Sequence, residues 1–542
     1  MERRVGGYGK DALLVLLALL TYVPVVRAGF VWDDSFLIVD NPNMQGLAGL
    51  LRTWSEPASL RYPWYPLTYT SFWLEYAWVG TQPLAYHVDN VLLHATNAVL
   101  LFRLAAALGI PGAWLAGAMF AVHPIHVESV AWITERKNVL AGLFVLLSLH
   151  GFVRAADLRG ALTQSGPSPR RWQNRWLFAS LAAFALAMLS KTAVAPLPGA
   201  LLVLLWLAQG RISLRDVARI APFFAVALAL GAIIVSMETN VVGEGQDFIQ
   251  LSFLDRALLY PRALWFYAGK HVFPTDLMFF YPRWEVDAHD PAQWLPLVAA
   301  AGALAAGVAL IRRLGRGPLA AILIYGGMLV PASGFFNVLF MFYSFVQNHF
   351  VYFASMALVV LLAAAVDRLV DRLPLPAPLS RAHAQLAAAA LLLAPLAAVA
   401  WSEARTFEDE EVLWRTSVER NPRSWTALTN LGGLLVDKGD YQGAEGYLRS
   451  AIAVNPVDYW AHNNLGIAML RQGHIEAAIP NFTAAIDAMP DNPVAWTNLG
   501  LALARLGRGP AAVRAWQRAL AIDPSYAAAQ EALRIWRSGE VP

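Results

Sequence analysis

The stretch TNLGGLLVDKGDYQGAEGYLRSAIAVNP, at residues 429–456, decides the fold of the C-terminal part, because its pattern returns twice at intervals of 34 residues. Three kinds of residue mark the period: a leucine followed by glycine at Leu431, Leu465 and Leu499; an alanine at Ala451, Ala485 and Ala519; and a proline at Pro456, Pro490 and Pro524. Small residues let two helices approach closely, and a proline ends a helix. The pattern therefore predicts a stack of helix pairs, one pair in each period.

A period of 34 residues is typical of tetratricopeptide repeats, so we assign residues 402–542 to a domain of that class. Its predicted parts are a half repeat at 402–422, repeats at 423–456, 457–490 and 491–524, and a capping helix at 525–542. Such arrays usually bind protein, so a protein is the expected partner of this domain.

Asparagines precede the three Leu-Gly pairs, at Asn430, Asn464 and Asn498. We expect them on the inner, concave helices, where an amide offers both a donor and an acceptor to an extended peptide. The alternative is that asparagine is simply common at this position of the repeat. The concave surface is in either case the expected binding surface for a protein partner.

The composition of the whole chain indicates a membrane protein. Hydrophobic residues make up 57% of the 542 residues and charged residues only 15%. Residues 1–401 contain many apolar runs near the ~20 residues that a helix needs to cross a bilayer. The net charge of +3 is small and the arginines are dispersed, so nucleic-acid binding is not expected. The absence of cysteine excludes disulfides and cysteine-ligated metal.

Basic residues in the short loops predict the topology, because cytoplasmic loops are enriched in Lys and Arg. The rule places the N-terminus in the cytoplasm and gives eleven spans. They lie near 11–29, 86–108, 112–122, 138–153, 176–190, 193–209, 217–237, 293–311, 318–333, 349–366 and 384–401. An odd number of crossings puts the repeats on the opposite side. Residues 257–274 are apolar but contain two basic residues, and are predicted to form an interfacial or re-entrant helix.

An acidic pair, Asp33 and Asp34, directly follows the first span in FVWDDSFLIVDNPN at 30–43. A charge near membrane depth is costly, which favours a functional role over a solvated loop start. Other unusual polar residues fall on the same, non-cytoplasmic side: His123, His126, Glu128, Glu135, Arg136, Lys137, Lys191, Arg262, Lys270, Asn348 and His349.

The spacing of His123, His126 and Glu128 allows a metal site, since imidazole and carboxylate are good ligands. No further ligand at a fixed separation is evident, so we expect hydrogen-bonding roles and predict no metal site. Lys191 has two interpretations, a lysine that extends its amine to the membrane surface or a contact to phosphate.

Several motifs resemble those of a known family, the transmembrane and tetratricopeptide-repeat O-mannosyltransferases and their bacterial relatives, within the GT-C glycosyltransferases. The resemblance covers nearly the whole chain. Its motifs are FVWDDSFLIVDNPN at 30–43, HPIHVESVAWITERKNVL at 123–140, SKTAVAPLP at 190–198, FVQNHFVYFASM at 345–356, and the repeats. The resemblance implies a polyprenyl-phosphate sugar donor and inverting transfer on the non-cytoplasmic face.

Roles follow from the chemistry that this resemblance implies. A hydroxyl nucleophile needs a carboxylate to take its proton, for which Asp33 or Asp34 is the candidate. The departing lipid phosphate needs positive charge, and the candidates are Arg136, Lys191, Arg262 and Lys270. The remaining residues, His123, His126, Glu128, Glu135, Lys137, Asn348 and His349, are expected to line a polar cavity.

The sequence thus predicts an all-α protein, with a GT-C-like transmembrane domain at 1–401 and a tetratricopeptide-repeat solenoid at 402–542. The expected function is transfer of a mannose-like sugar to a Ser or Thr hydroxyl of a protein presented by the repeats. No tightly bound cofactor is expected, and a divalent metal is not favoured. Two alternatives are transfer to a glycan or lipid, and a non-enzymatic membrane-anchored scaffold for export or assembly. The expected location is a bacterial inner membrane, with the repeats in the periplasm.

Overall fold

The computed structural model describes residues 2–56, 63–160, 172–241, 251–332, 334–335, 339–374 and 380–540. Within these ranges the secondary structure is helical, and no β-strand occurs among the described residues. The chain forms two compact units, Met1–Phe279 with Arg283–Asp409, and Phe280–Pro282 with Glu410–Pro542. The predicted all-α fold is confirmed.

Sixteen α-helices of the first unit lie within the described residues. They are α1 (Glu2–Thr21), α2 (Gly46–Ser55), α3 (Pro66–Val79), α4 (Pro83–Leu108), α5 (Ala113–Val122), α6 (Val127–Ala131), α7 (Arg136–Ala155), α8 (Asn174–Ser190), α9 (Leu197–Gln209), α10 (Leu214–Val241), α11 (Phe253–Val272), α12 (Leu295–Ala309), α13 (Ile311–Leu314), α14 (Gly317–Leu329), α15 (Tyr352–Arg372) and α16 (Arg381–Ala404).

Seven helical segments of the described chain are long and apolar enough to cross a membrane. They are Pro83–Leu108, Ile133–Ala155, Thr192–Gln209, Leu214–Ile234, Pro291–Ala309, Asn348–Arg372 and Arg381–Phe407. Three shorter apolar helices are Ala113–Val122, Asn174–Ser190 and Gly317–Ala332. These ten lie at the positions of predicted spans, and α1 overlaps the first predicted span, 11–29, only over residues 11–21; the apolar helices support integration into a membrane. The number of crossings stays a prediction, as does the interfacial position of α11.

Small residues bring the helices of the first unit together. A Cβ atom at Gly142 of α7 would lie 2.9 Å from both Asn97 Nδ2 of α4 and Tyr352 Cε1 of α15. On the far end of α7, a Cβ atom at Gly151 would lie 3.1 Å from the Cβ of Ser180 in α8. Glycine therefore allows the helices to approach closely. Membrane helices depend on such packing, because burying apolar side chains between them gains little when the surrounding lipid is equally apolar. This packing fixes the position of the first turn of α7, which carries several of the predicted site residues.

The second unit contains α17 (Glu410–Arg420), α18 (Trp425–Asp437), α19 (Tyr441–Val454), α20 (Tyr459–Arg471), α21 (Ile475–Ala488), α22 (Pro493–Arg505), α23 (Gly509–Ile522) and α24 (Ala527–Arg537). The Leu-Gly glycines allow the second helix of each pair to pack. A Cβ atom added to Gly432 would lie 2.5 Å from Leu448 Cγ. One added to Gly466 would lie 2.6 Å from Phe482 Cε1, and one added to Gly500 would lie 2.3 Å from Trp516 Nε1. The periodic glycines are thus a steric requirement of the stack.

The two units divide after Asp409, whereas the sequence places the boundary after residue 401. The difference arises because α16 continues to Ala404 and the following turn stays with the first unit. In that turn Phe407 is buried, and Glu408 accepts a hydrogen bond of 2.9 Å from the amide of Gly29. The half repeat then begins with α17, and the cap corresponds to α24.

Candidate active site around Asp33 and Asp34

The backbone before the acidic pair is strained. Trp32 has a φ of 50°, in the left-handed region that large side chains rarely adopt. Its ring stacks on Trp132, with centroids 5.4 Å apart and 18° between the planes. Strain of this kind persists only where the surroundings impose it, and it concentrates at functional sites. The stack therefore holds the turn that orients Asp33 and Asp34.

Asp34 is completely buried and both of its carboxylate oxygens accept backbone hydrogen bonds. Oδ2 accepts from the amide of Val31 at 3.0 Å, and Oδ1 from the amide of Thr134 at 2.8 Å. Burial, and next the charge of Asp33, raise the pKa of Asp34 well above its usual range. These bonds assign Asp34 to joining the acidic turn to the turn around Thr134.

Asp33 differs from its neighbour because it retains some access to solvent, with 7% of its surface exposed. Its Oδ1 accepts a hydrogen bond of 2.7 Å from the hydroxyl of Thr134. Burial raises the pKa of Asp33 to about 6, against the charge of Lys137 and the bond from Thr134, which lower it. A carboxyl group with this pKa can accept a proton near neutral pH.

A second cluster forms around Glu135, whose side chain is fully buried. Lys137 Nζ lies 2.7 Å from its Oε1, and Lys191 Nζ lies 3.1 Å from its Oε2. Asn138 Nδ2 donates a further hydrogen bond of 2.6 Å to Oε2. Two ammonium groups contact one carboxylate, and the charges of Asp33 and Glu128 also act on Lys137 and on Lys191, respectively. Burial lowers the pKa of Lys191 to about 8, although Glu135 opposes the change.

His349 extends this cluster towards the turn after α5. Its Nδ1 contacts Glu128 Oε1, and its Nε2 lies 3.9 Å from Glu135 Oε1. The ring of Trp132 meets it edge-on, with centroids 6.0 Å apart. Asn348 Nδ2 donates to the carbonyl of Met278 at 3.1 Å. The structure thus brings Glu128, Glu135, Lys137 and His349 into one group of polar side chains, and their lining of a cavity stays a prediction.

Arg136 faces away from this group, although it lies between Glu135 and Lys137 in the sequence. Its side chain is buried and pairs with Glu75. It also donates to Asn90 Oδ1 and to the carbonyl of Tyr86, both at 2.7 Å. Protein acceptors from α3 and α4 therefore surround the guanidinium. The geometry does not support the predicted contact of Arg136 with a donor phosphate and assigns it to joining α3, α4 and α7.

The two residues of α11 that are predicted to contact the donor phosphate also have protein partners. Arg262 lies over the ring of Trp284, 4.3 Å from its centroid, and donates to the carbonyl of Glu285 at 3.2 Å. Lys270 Nζ donates to the carbonyl of Thr275 at 2.5 Å. These contacts lie with the segment that follows α11, outside the group formed by Asp33, Glu135, Lys137 and Lys191. A role of Arg262 or Lys270 at the donor phosphate stays a prediction.

The histidines of the His-Pro motif make separate contacts. His123 Nε2 lies 3.1 Å from the carbonyl of His271, and His126 Nε2 lies 2.7 Å from Ser355 Oγ. Glu128 pairs with His349 instead of with either histidine. Within the described ranges, no three His, Cys, Asp or Glu side chains form a group that could hold a metal ion. The three residues whose spacing allows a metal site therefore do not converge.

Asparagines of the repeats form a short chain of hydrogen bonds. Asn498 Nδ2 donates to Asn463 Oδ1 at 2.9 Å, and Asn463 Nδ2 donates to Asn464 Oδ1 at 3.3 Å. Asn430, Asn464 and Asn498 are half-buried, whereas Asn463 is buried. Binding of a peptide by these amides stays a prediction.

Sequence reasoning missed Thr134, the stacked pair Trp32 and Trp132, and the partners of Arg136. Thr134 and the two tryptophans lie in the quoted motifs, but a hydroxyl or an indole in a motif has no spacing rule that would identify its partner. Only the fold brings Thr134 to Asp33, which lies 101 positions earlier in the chain.

Comparisons with known proteins find a repeat family and relatives that match part of the chain. A family model described as "Tetratricopeptide repeat" matches residues 411–459 and 463–527. The chain is similar to "Protein O-mannosyl-transferase Tmtc1" of Drosophila melanogaster, with 38% identity over 149 residues, 26% of this chain and 17% of that protein. It is also similar to "Protein O-mannosyl-transferase TMTC2" of Mus musculus, with 38% identity over 157 residues, 27% of this chain and 18% of that protein.

These matches thus cover less than a fifth of the length of the two relatives, at 17% and 18%. Among solved structures, "Crystal structure of YrrB: a TPR protein with an unusual peptide-binding site" is 23% identical, with a TM-score of 0.23, and the match covers 28% of this chain and 82% of that chain. The predicted resemblance is confirmed: the chain carries a tetratricopeptide-repeat domain and is similar in part of its sequence to the TMTC protein O-mannosyl-transferases.

Proposed function

We propose that this protein is a membrane glycosyltransferase that moves a mannose-like sugar from a polyprenyl-phosphate donor to a Ser or Thr hydroxyl of a protein. The transfer inverts the configuration at the sugar and takes place on the non-cytoplasmic face. The observation that carries the proposal is the position of Asp33, a carboxylate that retains some access to solvent. The charge of Lys137 acts on it, and it accepts a hydrogen bond from Thr134, in the turn before Lys137. The names of the relatives support the reaction class.

Asp33 acts in this proposal as the general base. A Ser or Thr hydroxyl is a weak nucleophile, and a carboxylate within hydrogen-bond reach removes its proton as the bond from the sugar to phosphate breaks. The oxygens of Asp34 are already engaged by two backbone amides, so Asp34 positions the turn. This distinction favours Asp33 over Asp34 as the group that meets the acceptor.

Lys137 and Lys191 act at the donor phosphate. The leaving group is a phosphate that gains negative charge in the transition state, and ammonium groups in a water-poor site stabilise that charge. Their shared partner Glu135 holds both amines in place. An ammonium group has three donors, so each amine can also contact a phosphate. Lys137, predicted from the sequence to line the cavity, takes this role in the proposal in place of Arg136, whose guanidinium has protein acceptors.

The repeat domain presents the acceptor in this proposal. Asn464 uses its amide oxygen and Asn498 its amide nitrogen in the chain through Asn463. The other half of each amide can therefore meet the backbone of an extended acceptor segment.

A reconstituted transfer assay tests the proposal. The purified full-length protein in vesicles receives polyprenyl-phosphate mannose and a Ser/Thr-rich peptide, and mass spectrometry follows the peptide. We expect a gain of one hexose, which the Asp33→Asn variant loses by a factor of ~10²–10⁴, a common cost of losing a general base. Asp40→Asn is the matched control, because Asp40 is exposed in the same segment. Equal activity of both variants would exclude Asp33 as the base, and no transfer by the wild type to any protein acceptor would favour a scaffold.

A further inference from the structure

The transmembrane domain contains a cavity of about 810 Å³ whose walls come from α4, α7, α9, α14 and α15. Its lining is almost wholly aliphatic, and Leu104, Leu204, Ile324, Met356 and Leu361 are typical of it. The volume lies in the range of cavities that bury a drug-sized or larger ligand. An apolar cavity of this size suits a hydrocarbon chain.

The cavity is also long enough for such a chain. On α15 the lining residues begin at Phe353 and end at Arg372. At 1.5 Å per residue this part of the helix is ~28 Å long, close to the ~30 Å of a bilayer's hydrocarbon core. The cavity therefore follows the direction in which a membrane lipid extends its tails.

Three arginines line one end of the cavity, Arg313, Arg368 and Arg372. All three are exposed, and in the part of the chain that the structure describes their guanidinium groups have no ion-pair partner. None of the described lining residues is acidic. The nearby acids of α15 are engaged elsewhere, since Asp367 accepts from Gln385 at 3.1 Å and Asp371 lies 3.5 Å from Arg381.

We propose that this cavity binds an anionic phospholipid, with an acyl chain between the helices and the phosphate against Arg313, Arg368 and Arg372. A guanidinium presents a planar fork of donors that matches phosphate oxygens, and exposed arginines at a membrane surface attract anionic headgroups. The arginine end lies in the basic loops, which the charge rule places in the cytoplasm, so the lipid would come from that leaflet. The site is separate from Asp33 and does not depend on the proposed function.

Lipid retention by the full-length protein tests the headgroup part of the proposal. Protein in nanodiscs of phosphatidylglycerol or of phosphatidylcholine is released into the gas phase, and native mass spectrometry counts retained lipids. We expect specific retention of phosphatidylglycerol. The triple variant Arg313→Gln, Arg368→Gln, Arg372→Gln should weaken it about 10²-fold, as expected for three surface arginines. The triple variant Arg211→Gln, Arg215→Gln, Arg312→Gln is the control, because it removes the same charge outside the cavity.

A second pair of variants tests the tail. Ala357→Phe narrows the lining of α15, and Ala305→Phe adds the same bulk on the exposed face of α12. We expect only Ala357→Phe to reduce retention, with both variants monodisperse on gel filtration. Equal retention of the two lipids, or equal retention by all variants, would overturn the proposal. So would displacement by inorganic phosphate alone, or preferred retention of polyprenyl phosphate, because the occupant would then be a free anion or the donor.

Discussion

The hydroxyl of Thr134 donates a hydrogen bond of 2.7 Å to the carboxylate of Asp33, a residue 101 positions earlier in the chain. The bond stabilises the ionised form of Asp33 and orients the oxygen that it occupies. A base that removes a proton from a hydroxyl depends on its pKa and on the orientation of its carboxylate oxygens. Thr134 is therefore a positioning residue in the proposed reaction.

Replacing Thr134 by valine keeps the shape of the side chain and the backbone bond to Asp34, but removes the hydroxyl. Loss of this bond raises the pKa of Asp33, because the bond favours the charged carboxylate. We expect the acid limb of the pH–rate profile to move to higher pH, while Thr134→Ser retains the wild-type profile. An unchanged acid limb in Thr134→Val would contradict the assigned role, even if the maximal rate fell.

In the proposed reaction the wild-type protein should have a bell-shaped pH–rate profile. Asp33 acts when deprotonated, so the rate rises as pH increases through its pKa of about 6. Lys191 binds phosphate when protonated, so the rate falls as pH increases through its pKa of about 8. Lys191→Arg should remove the upper limb from the measurable range, because a guanidinium stays charged. A fall at the same pH in Lys191→Arg would assign the upper limb to another group.

The two aspartates should respond differently to the amide substitution. Asp34→Asn places an NH₂ group opposite a backbone amide, so one buried donor loses its acceptor. We expect the free energy of unfolding to fall by about 1–3 kcal/mol. Asp33→Asn should leave stability nearly unchanged and remove activity. Thermal unfolding in detergent measures the first effect, and a destabilised Asp33→Asn beside an unaffected Asp34→Asn would reverse the assignment.

Arg136→Gln should act on folding. The change leaves Glu75 without its cationic partner in a largely buried site, and breaking a buried ion pair typically costs about 3–5 kcal/mol. The double variant Arg136→Gln, Glu75→Gln should recover part of that stability. Lys137→Gln, one residue further on, leaves Glu135 paired with Lys191, so we expect a smaller loss of stability and weak binding of donor phosphate. A stable Arg136→Gln protein with impaired donor binding would restore the original interpretation of this residue.

The topology predicts that the repeat domain lies outside the cytoplasm, because an odd number of spans separates it from the N-terminus. An alkaline phosphatase reporter fused after Pro542 should therefore be active in a bacterial host, and a fusion after Arg313 should be inactive. The second fusion is the internal control, since Arg313 lies in a basic loop. An inactive reporter after Pro542 would mean that the repeats lie in the cytoplasm, on the opposite side of the membrane from the proposed site.

The helices and the repeats are determined by local sequence. An apolar run of membrane length forms a helix because of its own composition. An unpaired backbone group in lipid is costly, and a helix pairs these groups within a single segment. The glycines of the repeats also follow a local rule. A glycine such as Gly466 occurs once in each repeat, where a side chain of the second helix, here Phe482, packs against the first helix. Both features repeat a simple rule along the chain, so the sequence alone predicts them.

The site was decided by tertiary structure. Arg136 and Lys137 are adjacent in the sequence, but successive residues of a helix point about 100° apart. One therefore meets Glu75 of α3, and the other meets Glu135 at 2.7 Å. The sequence places Asp33 and Asp34 side by side without distinguishing them, and only the fold gives Asp34 two backbone donors. Which charge is neutralised within the protein and which is left for a ligand depends on residues brought together from distant positions, and no local pattern specifies that arrangement.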